Sequence, residues 1–395
     1  MAIQFSKLAQ NLNASEIREL LKLTELPEII SFAGGLPAAE LFPIEAMKKV
    51  DLKILEDEGA KSLQYGPTDG YIPLRNEIAA RMNKVYCTNV TADDILITSG
   101  SQQGLDTLGR IFCDEGDIIL MESPSYLGAI NAFKLSGANF IGVPTDSEGM
   151  IPAELDRILS ENDRVRAVYV IPDFQNPTGI TWSEQRRHDF MTVVNKYNVP
   201  VIEDDPYGEL RFEGKFLPAL KSLDTKDLVI FLGTFSKILT PGLRLGWVCA
   251  NPEVLDKCNK IKQSADLHTS SFGQRQAAYF IKMFDLDAHV KTICQVYGKR
   301  RTCMINAMDK YFPKEATFTR PEGGLFTWVV LPEYMDSREL MKECVAEKVA
   351  FVPGGSFFPN GGHNNTFRLN YSNMDEERIE IGIKRIADVI KKHIK

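Results

Sequence analysis

An α/β architecture, a mainly parallel sheet with helices on both faces joined to a smaller α+β unit, follows from three features of the 395-residue sequence. From Asp93 onward, short apolar runs of strand length alternate with longer segments of helical periodicity, the pattern of βαβ units. The run Leu228 to Leu232 is apolar throughout, as in a strand covered on both faces, and Val165 to Ile171 reads as a second buried strand. After about Gly323 this alternation ends, and a chain of this length exceeds one ordinary core.

Taken in order, the sequence predicts a mildly amphipathic helix from Ser6 to Leu23, with capping residues in Asn13 to Arg18. An extended piece, Ile29 to Pro37, ends in the glycine pair Gly34-Gly35, where backbone can approach a ligand closely. Tyr65-Gly-Pro-Thr-Asp-Gly70 reads as a turn before a helix from Ile72 to Val85. Strands are expected at Ile95 to Thr98, Asp117 to Met121, Phe140 to Val143, Val165 to Ile171, Val199 to Ile202 and Leu228 to Leu232, with helices between most of them. Right-handed crossovers then place the loops after these strands on one edge. Ser101, Gln102, Tyr126, Asn176, Asp204, Tyr207 and Lys237 are all expected to follow strands on that edge. Helices at 252–263, 274–283 and 290–311 lead to strands near 323–330, 350–352 and 367–370. A closing helix from Asp375 to Ile394 carries Ile379, Ile383, Ile386 and Ile390 at helical spacing, a face for docking. The expected division is a large domain at 45–285 and a small one formed by 1–44 with 286–395.

The charge balance excludes some classes of function. With 46 basic and 53 acidic residues, a formal net charge of -7 and no long run of one sign, no nucleic-acid or anionic-membrane partner is indicated. No signal peptide is read at Met1 to Lys7 and no segment approaches bilayer-spanning length, so the expected location is cytoplasmic. Seven cysteines lie scattered without a CxxC or zinc spacing, as free thiols in a reducing compartment would; no metal site is expected.

Four constellations carry chemistry. Gly233-Thr-Phe-Ser-Lys-Ile-Leu-Thr-Pro-Gly-Leu-Arg-Leu-Gly246 places Lys237 just past a buried strand, where desolvation makes a neutral, nucleophilic amine available. Arg244 adds a forked cation suited to phosphate, and Ser99-Gly-Ser-Gln-Gln103 sits between strand and helix, where backbone N–H groups and the Ser101 hydroxyl can meet an anion. Ile202-Glu-Asp-Asp-Pro-Tyr207 is either a surface turn or an acid emerging from the sheet interior in need of a positive partner such as a protonated pyridine nitrogen. Gln175-Asn-Pro-Thr-Gly179 holds the Asn176 amide in a rigid turn, and Arg368 within Thr366-Phe-Arg-Leu-Asn370 is either outward-facing or a fixed donor for a substrate carboxylate.

Ser236-Lys237 with Arg244, Asp204-x-x-Tyr207, Asn176-Pro-Thr-Gly179 and the late Arg368 resemble, in order and spacing, the pyridoxal-phosphate-dependent aminotransferases of fold type I, class I. Ser31-Phe-Ala-Gly-Gly-Leu-Pro37, Gln64-Tyr-Gly66 and Gly100-Ser-Gln-Gln103 are similar to the branch of 2-aminoadipate, kynurenine and aromatic aminotransferases. The resemblance covers nearly the whole chain. It implies pyridoxal 5'-phosphate as cofactor, with Lys237 as Schiff-base lysine and proton shuttle and Asp204 as partner of the pyridine nitrogen. It also implies Asn176 and Tyr207 on the ring's phenolic oxygen, Tyr126 stacked on the ring, and Ser101, Gln102, Ser236 and Arg244 on the phosphate. Tyr65 would reach over from a second subunit of a homodimer with shared sites. Arg368, with Asn176 and Gly35 beside it, would hold the substrate, and Arg18 resembles an arm residue that contacts the substrate side chain; it also reads as a solvated helix arginine. Asp205 leaves a swapped role open, and the spacing to Tyr207 favours Asp204. The implied activity is amino transfer from an L-amino acid to a 2-oxo acid such as 2-oxoglutarate by a ping-pong cycle. A lyase or decarboxylase on the same scaffold and a non-catalytic sensor are the rivals.

Overall fold

The computed structural model of the protein describes residues 3–6, 26 and 28–395. The expected helix from Ser6 to Leu23, and Arg18 with it, therefore falls almost wholly outside the described residues. Along the chain the strands are β1 (Ile30–Ser31), β2 (Ile95–Thr98), β3 (Ile118–Ser123), β4 (Asn139–Asp146), β5 (Gly149–Met150), β6 (Val165–Val170) and β7 (Val201–Asp205). They continue with β8 (Val229–Thr234), β9 (Gly246–Cys249), β10 (Thr317–Phe318), β11 (Phe326–Val330), β12 (Val349–Ala350), β13 (Val352–Pro353) and β14 (Thr366–Asn370). The helices are α1 (Ile44–Ser62), α2 (Ile72–Val85), α3 (Ser101–Phe112), α4 (Leu127–Lys134), α5 (Pro152–Glu161) and α6 (Glu184–Tyr197). They continue with α7 (Leu220–Leu223), α8 (Pro252–Ala265), α9 (Ser271–Met283), α10 (Leu286–Tyr311), α11 (Ser337–Ala346) and α12 (Glu376–His393).

Eight strands form the central sheet in the order β2-β9-β8-β7-β6-β3-β4-β5. The pairs β4 with β3, β3 with β6, β6 with β7 and β7 with β8 are parallel. β9 runs antiparallel to both its neighbours, and β5 antiparallel to β4. Alternation along the strands divides the core by face. Ile230 and Leu232 pack with Leu105 and Leu108 of α3, Ile130 and Phe133 of α4 and Cys258 of α8. On the other face Val229 packs with α5, α6 and α7, and Phe231 with α2 and α9. Both faces of β8 are thus dry, which is why its sequence is apolar without interruption.

A four-stranded antiparallel sheet, β10-β11-β14-β13, stands apart from the large one. β1 pairs in parallel with β12, tying the early segment to the carboxyl-terminal part. Ile379, Ile383, Ile386 and Ile390 of α12 are buried in one cluster with Met304 and Met308 of α10 and with Phe367 and Leu369 of β14. α10 serves two cores: Leu286, Val290, Ile293 and Tyr297 join the cluster around α2 and α9, and Met304 onward joins the second.

The strand order explains what the sequence pattern left out. β9 is four residues long and was not expected; it enters from the edge where its neighbours end, pairing Gly246 with Thr98 and with Thr234. α1 also went unread, because Leu52 and Leu55 on it are exposed and blur its apolar stripe. The expected strand at 350–352 is two short ones, β12 and β13.

Candidate active site

At the carboxyl ends of β2, β3, β6, β7 and β8 the structure encloses a cavity of about 540 Å³. Its lining includes Gly35, Ser101, Gln102, Tyr126, Asn176, Asp204, Tyr207, Ser236, Lys237, Arg244 and Arg368. The sequence-predicted residues are brought together with two exceptions: Tyr65 lies outside this cavity at 78% exposure, and Arg18 is outside the described residues. One placement differs from expectation. Asp204 does not follow β7 but lies within it, on the face shared with Ile202.

Lys237 stands just beyond β8, its Nζ donating to the Gly35 carbonyl at 2.7 Å. Burial first, then the positive charges of Arg368 and Arg244, lower its pKa to about 8, so the neutral amine becomes an appreciable minority near physiological pH. Asp204 is 2% exposed, and its Oδ2 accepts a 2.7 Å hydrogen bond from the Tyr169 hydroxyl. Its Oδ1 is buried with no hydrogen-bond partner among the described residues. Burial pushes the carboxyl up to about 7, against the opposing pull of the Tyr169 hydrogen bond. Asp205 points elsewhere, accepting from the backbone N–H groups of Gly208 at 2.6 Å and Tyr207 at 3.3 Å, as a turn cap does. The two acids are therefore not interchangeable.

Asn176 links the two sheets: its Nδ2 donates to the Tyr207 hydroxyl at 3.3 Å, and its Oδ1 accepts from Arg368 Nη1 at 2.7 Å. Arg368 Nη2 donates to the Ala33 carbonyl at 2.8 Å. The guanidinium lies against Phe326 and Phe357, 4.1 and 5.0 Å from their ring centroids. Arg368 is buried, not outward-facing, and burial lowers its pKa to about 10, which leaves it charged.

The anion cradle forms where β2 turns into α3. Gly100 has φ 79° and ψ 162°, and a Cβ there would lie 2.5 Å from Arg244 Nη2. Arg244 thus occupies the space beside the helix amino terminus. It reaches that position because β9 runs antiparallel. A Cβ on Gly246 would lie 2.6 Å from Ser101 N, so only glycine lets β9 start beneath the turn. Ser236 N–H donates to Thr234 Oγ1 at 3.1 Å, and the Thr234 hydroxyl in turn reaches the Leu245 carbonyl at 3.0 Å.

Sequence reasoning missed the supporting residues. Lys262, 1% exposed, donates to Gln103 Oε1 at 2.7 Å and to both oxygens of Asp266 at 2.9 and 3.0 Å. Ser99 N–H donates to the same Gln103 oxygen at 2.8 Å, so the buried Lys262 fixes the cradle from behind through Gln103. Glu122 accepts from Ile171 N–H and Trp182 Nε1, both at 3.0 Å, behind the turn that carries Asn176. Tyr169 lacks any motif of its own. Only its place on β6 beside β7 reveals it.

These groups fit pyridoxal phosphate. Asp204 Oδ1 lacks the donor that a protonated ring nitrogen carries, and the space beside Gly100 is filled by a cation suited to phosphate. No cluster of three or more metal-ligating side chains is present among the described residues.

The family model described as aminotransferase class I and II matches residues 28–386. The chain is 44% identical to an aromatic-amino-acid aminotransferase of Thermococcus litoralis, over 99% of this chain and 95% of the relative. It is 43% identical to a 2-aminoadipate transaminase of Thermus thermophilus, over 98% of this chain and 96% of the relative. The crystal structure of a kynurenine aminotransferase of Pyrococcus horikoshii, in complex with PMP, superposes with a TM-score of 0.96 at 43% identity, covering 99% of this chain and 98% of the other.

Proposed function

The chain belongs to the class I and II aminotransferases, and from that premise we propose how the residues of its cleft divide the work. The protein is a pyridoxal-phosphate-dependent aminotransferase that moves an amino group from amino acids to 2-oxo acids. When bound, the cofactor supplies an electron sink for the substrate's α-carbon.

In this reading, Lys237 Nζ is the amine that tethers the cofactor and carries a proton to and from the substrate α-carbon. The Asp204 carboxylate holds the ring nitrogen protonated. Asn176 and Tyr207 would hold the ring's phenolic oxygen as donors, and Tyr126 would hold the ring from one side. Ser101, Gln102, Ser236, Arg244 and the α3 amino terminus hold the phosphate. Arg368, already held by Asn176 and Ala33, grips the α-carboxylate of the substrate and fixes the α-carbon within reach of Lys237. The observation that carries this reading is the unpartnered Asp204 oxygen in a cavity that also holds Lys237, Arg244 and Arg368.

We take 45–285 as the large domain and 1–44 with 286–395 as the small one, with Arg368 supplied from the small one. Tyr65, exposed and outside its own cavity, supports a homodimer in which it completes the neighbouring site, and exposed Leu52, Leu55 and Leu63 offer an apolar contact face. Seven free cysteines support a reducing, cytoplasmic setting. The names of the relatives point to 2-aminoadipate, aromatic amino acids and kynurenine as donors, and we take 2-oxoglutarate as the acceptor.

The holoenzyme given amino acid alone should convert its cofactor to the amine form, seen as a shift in the visible absorption, and 2-oxoglutarate should restore it. Release of ammonia or CO2 without an acceptor would overturn the transfer reading. Lys237→Ala should lose both turnover and the borohydride-reducible link, and persistence of that link at another lysine would remove Lys237 from its role.

A further inference from the structure

Behind the cavity, one buried hydroxyl touches the acid that lines it. Tyr169 projects from β6 toward the neighbouring β7, has no exposed surface, and donates to Asp204 Oδ2 at 2.7 Å. Its ring packs edge-on against Phe133, with centroids 5.7 Å apart and planes at 73°. The carboxylate torsion of an aspartate is soft, so an unanchored Asp204 would sample many orientations. The Tyr169 bond removes that freedom and leaves Oδ1 as the oxygen without a partner among the described residues.

We propose that Tyr169 is a positioning residue that fixes the Asp204 carboxylate, keeps it ionised, and so directs Oδ1 at the ring nitrogen of the cofactor. The proposal rests on the reading of Asp204 given above. The shared proton has two places, on the ring nitrogen facing a carboxylate or on the carboxyl facing a neutral ring. Both contain the same atoms. A hydroxyl donating to Asp204 stabilises the ionised carboxylate and therefore the protonated ring.

Three variants test this, Tyr169→Phe, Asp204→Asn and the double variant, each with two readouts. The first is the dissociation constant of pyridoxal phosphate from the cofactor-free protein. The second is the nitrogen NMR shift of holoenzyme loaded with ring-15N cofactor, which reads protonation at that atom. Tyr169→Phe should weaken binding about tenfold or more and move the ring nitrogen toward its neutral shift, because a charge-assisted hydrogen bond is lost. In the Asp204→Asn background it should add little to either. An unchanged nitrogen shift in Tyr169→Phe, with Asp204→Asn altering it, would overturn the role of Tyr169. Full additivity with Asp204→Asn would do the same, since Tyr169 would then act otherwise than through the acid. An unchanged shift in Asp204→Asn would overturn the reading of Asp204 itself. Should Tyr169→Phe fail to fold, 4-aminophenylalanine placed at 169 keeps the ring and weakens the donor. It should move the nitrogen toward its neutral shift, and no movement would count against the proposal.

Discussion

Replacing Gly100 by alanine tests the anion cradle most directly. At φ 79° and ψ 162° the residue holds a conformation that side-chain-bearing residues avoid, and the added Cβ would meet Arg244 Nη2 at 2.5 Å and Cζ at 3.1 Å. Both atoms belong to the end of a flexible side chain, so the guanidinium gives way before the backbone of α3 does. Two costs follow, and they fall on different equilibria. Holding alanine in this conformation costs about 1–3 kcal/mol of fold stability, with or without cofactor. Displacing Arg244 removes charge-assisted hydrogen bonds to phosphate worth about 1.5–3 kcal/mol, and this cost falls on binding alone. At about 1.4 kcal/mol per factor of ten, Gly100→Ala should weaken pyridoxal phosphate binding about 10- to 150-fold. Fluorescence titration of the cofactor-free protein measures the second cost, and its thermal unfolding measures the first. In an Arg244→Ala background the alanine should weaken binding little further, because the group it displaces is already gone. Unchanged affinity in Gly100→Ala, or full additivity with Arg244→Ala, would refute the placement of Arg244 at the phosphate.

Capture of pyridoxal phosphate needs the neutral amine of Lys237, so its rate should rise with pH and level off above about 8, the value to which burial, Arg368 and Arg244 lower it. Arg368→Gln removes one of those positive charges and should move the midpoint to higher pH; stopped-flow absorbance across pH reads it, and a midpoint that stays or falls contradicts the electrostatic account. Arg368→Lys keeps a charge but loses the planar fork held by Asn176 and Ala33, and should raise KM for the amino acid roughly tenfold while leaving cofactor affinity near that of the wild type. Lys262→Met takes away the cation that Asp266 and Gln103 share; Asp266 is solvent-exposed and keeps Ser99 Oγ and Gln103 Nε2 as donors, so the loss should be about 1–2 kcal/mol of stability in a denaturant titration, with weaker cofactor binding because Ser99 depends on the same Gln103 oxygen.

Whether a residue could be read in the sequence depended on how local its reason was. The apolar runs of β6 and β8 and the isoleucine face of α12 announce themselves because burial acts on consecutive or periodic positions. Lys237, Asn176 and Asp204 were legible because each sits at or just beyond a strand whose apolar sequence fixes where the chain surfaces. β9 was not, since Gly246-Trp-Val-Cys249 is only four residues long and directly continues a glycine-bearing turn, and it looks like part of a loop until β2 and β8 are known to flank it. Without β9, the sequence suggested Arg244 for phosphate by residue type but not how it arrives beside Gly100. Tyr169 and Lys262 were invisible for a different reason: the partner of Tyr169 is 35 residues away, and Lys262, whose i,i+4 pairing with Asp266 reads as an ordinary helix pair, reaches the cradle only through Gln103, 159 residues away. Arg368 misled in the opposite direction. An arginine in an apolar strand reads as outward-facing until Phe326, Phe357 and the Asn176 carbonyl are seen to enclose it.

The charges facing the cavity set a condition on substrate choice. Among the described residues its lining carries three cations, Lys237, Arg244 and Arg368, and one acid, Asp204. In the proposed division Lys237 is committed to the tether and then to proton transfer at the α-carbon, Arg244 faces the phosphate, Arg368 faces the α-carboxylate and Asp204 faces the ring nitrogen. A second carboxylate on the substrate side chain would find no further cation among these lining residues, and an unpaired carboxylate in a partly desolvated site is costly. Arg18 is the residue the sequence offers for that carboxylate. Arg18→Ala should therefore lower kcat/KM for 2-aminoadipate about tenfold or more, the worth of a hydrogen bond to a charged group, and leave kcat/KM for phenylalanine nearly unchanged. Steady-state assays with 2-oxoglutarate as common acceptor separate the two donors. An equal loss for both would mean that Arg18 supports the fold or the closure of the site, and equal retention would leave it a solvated helix arginine; either result removes it from side-chain recognition.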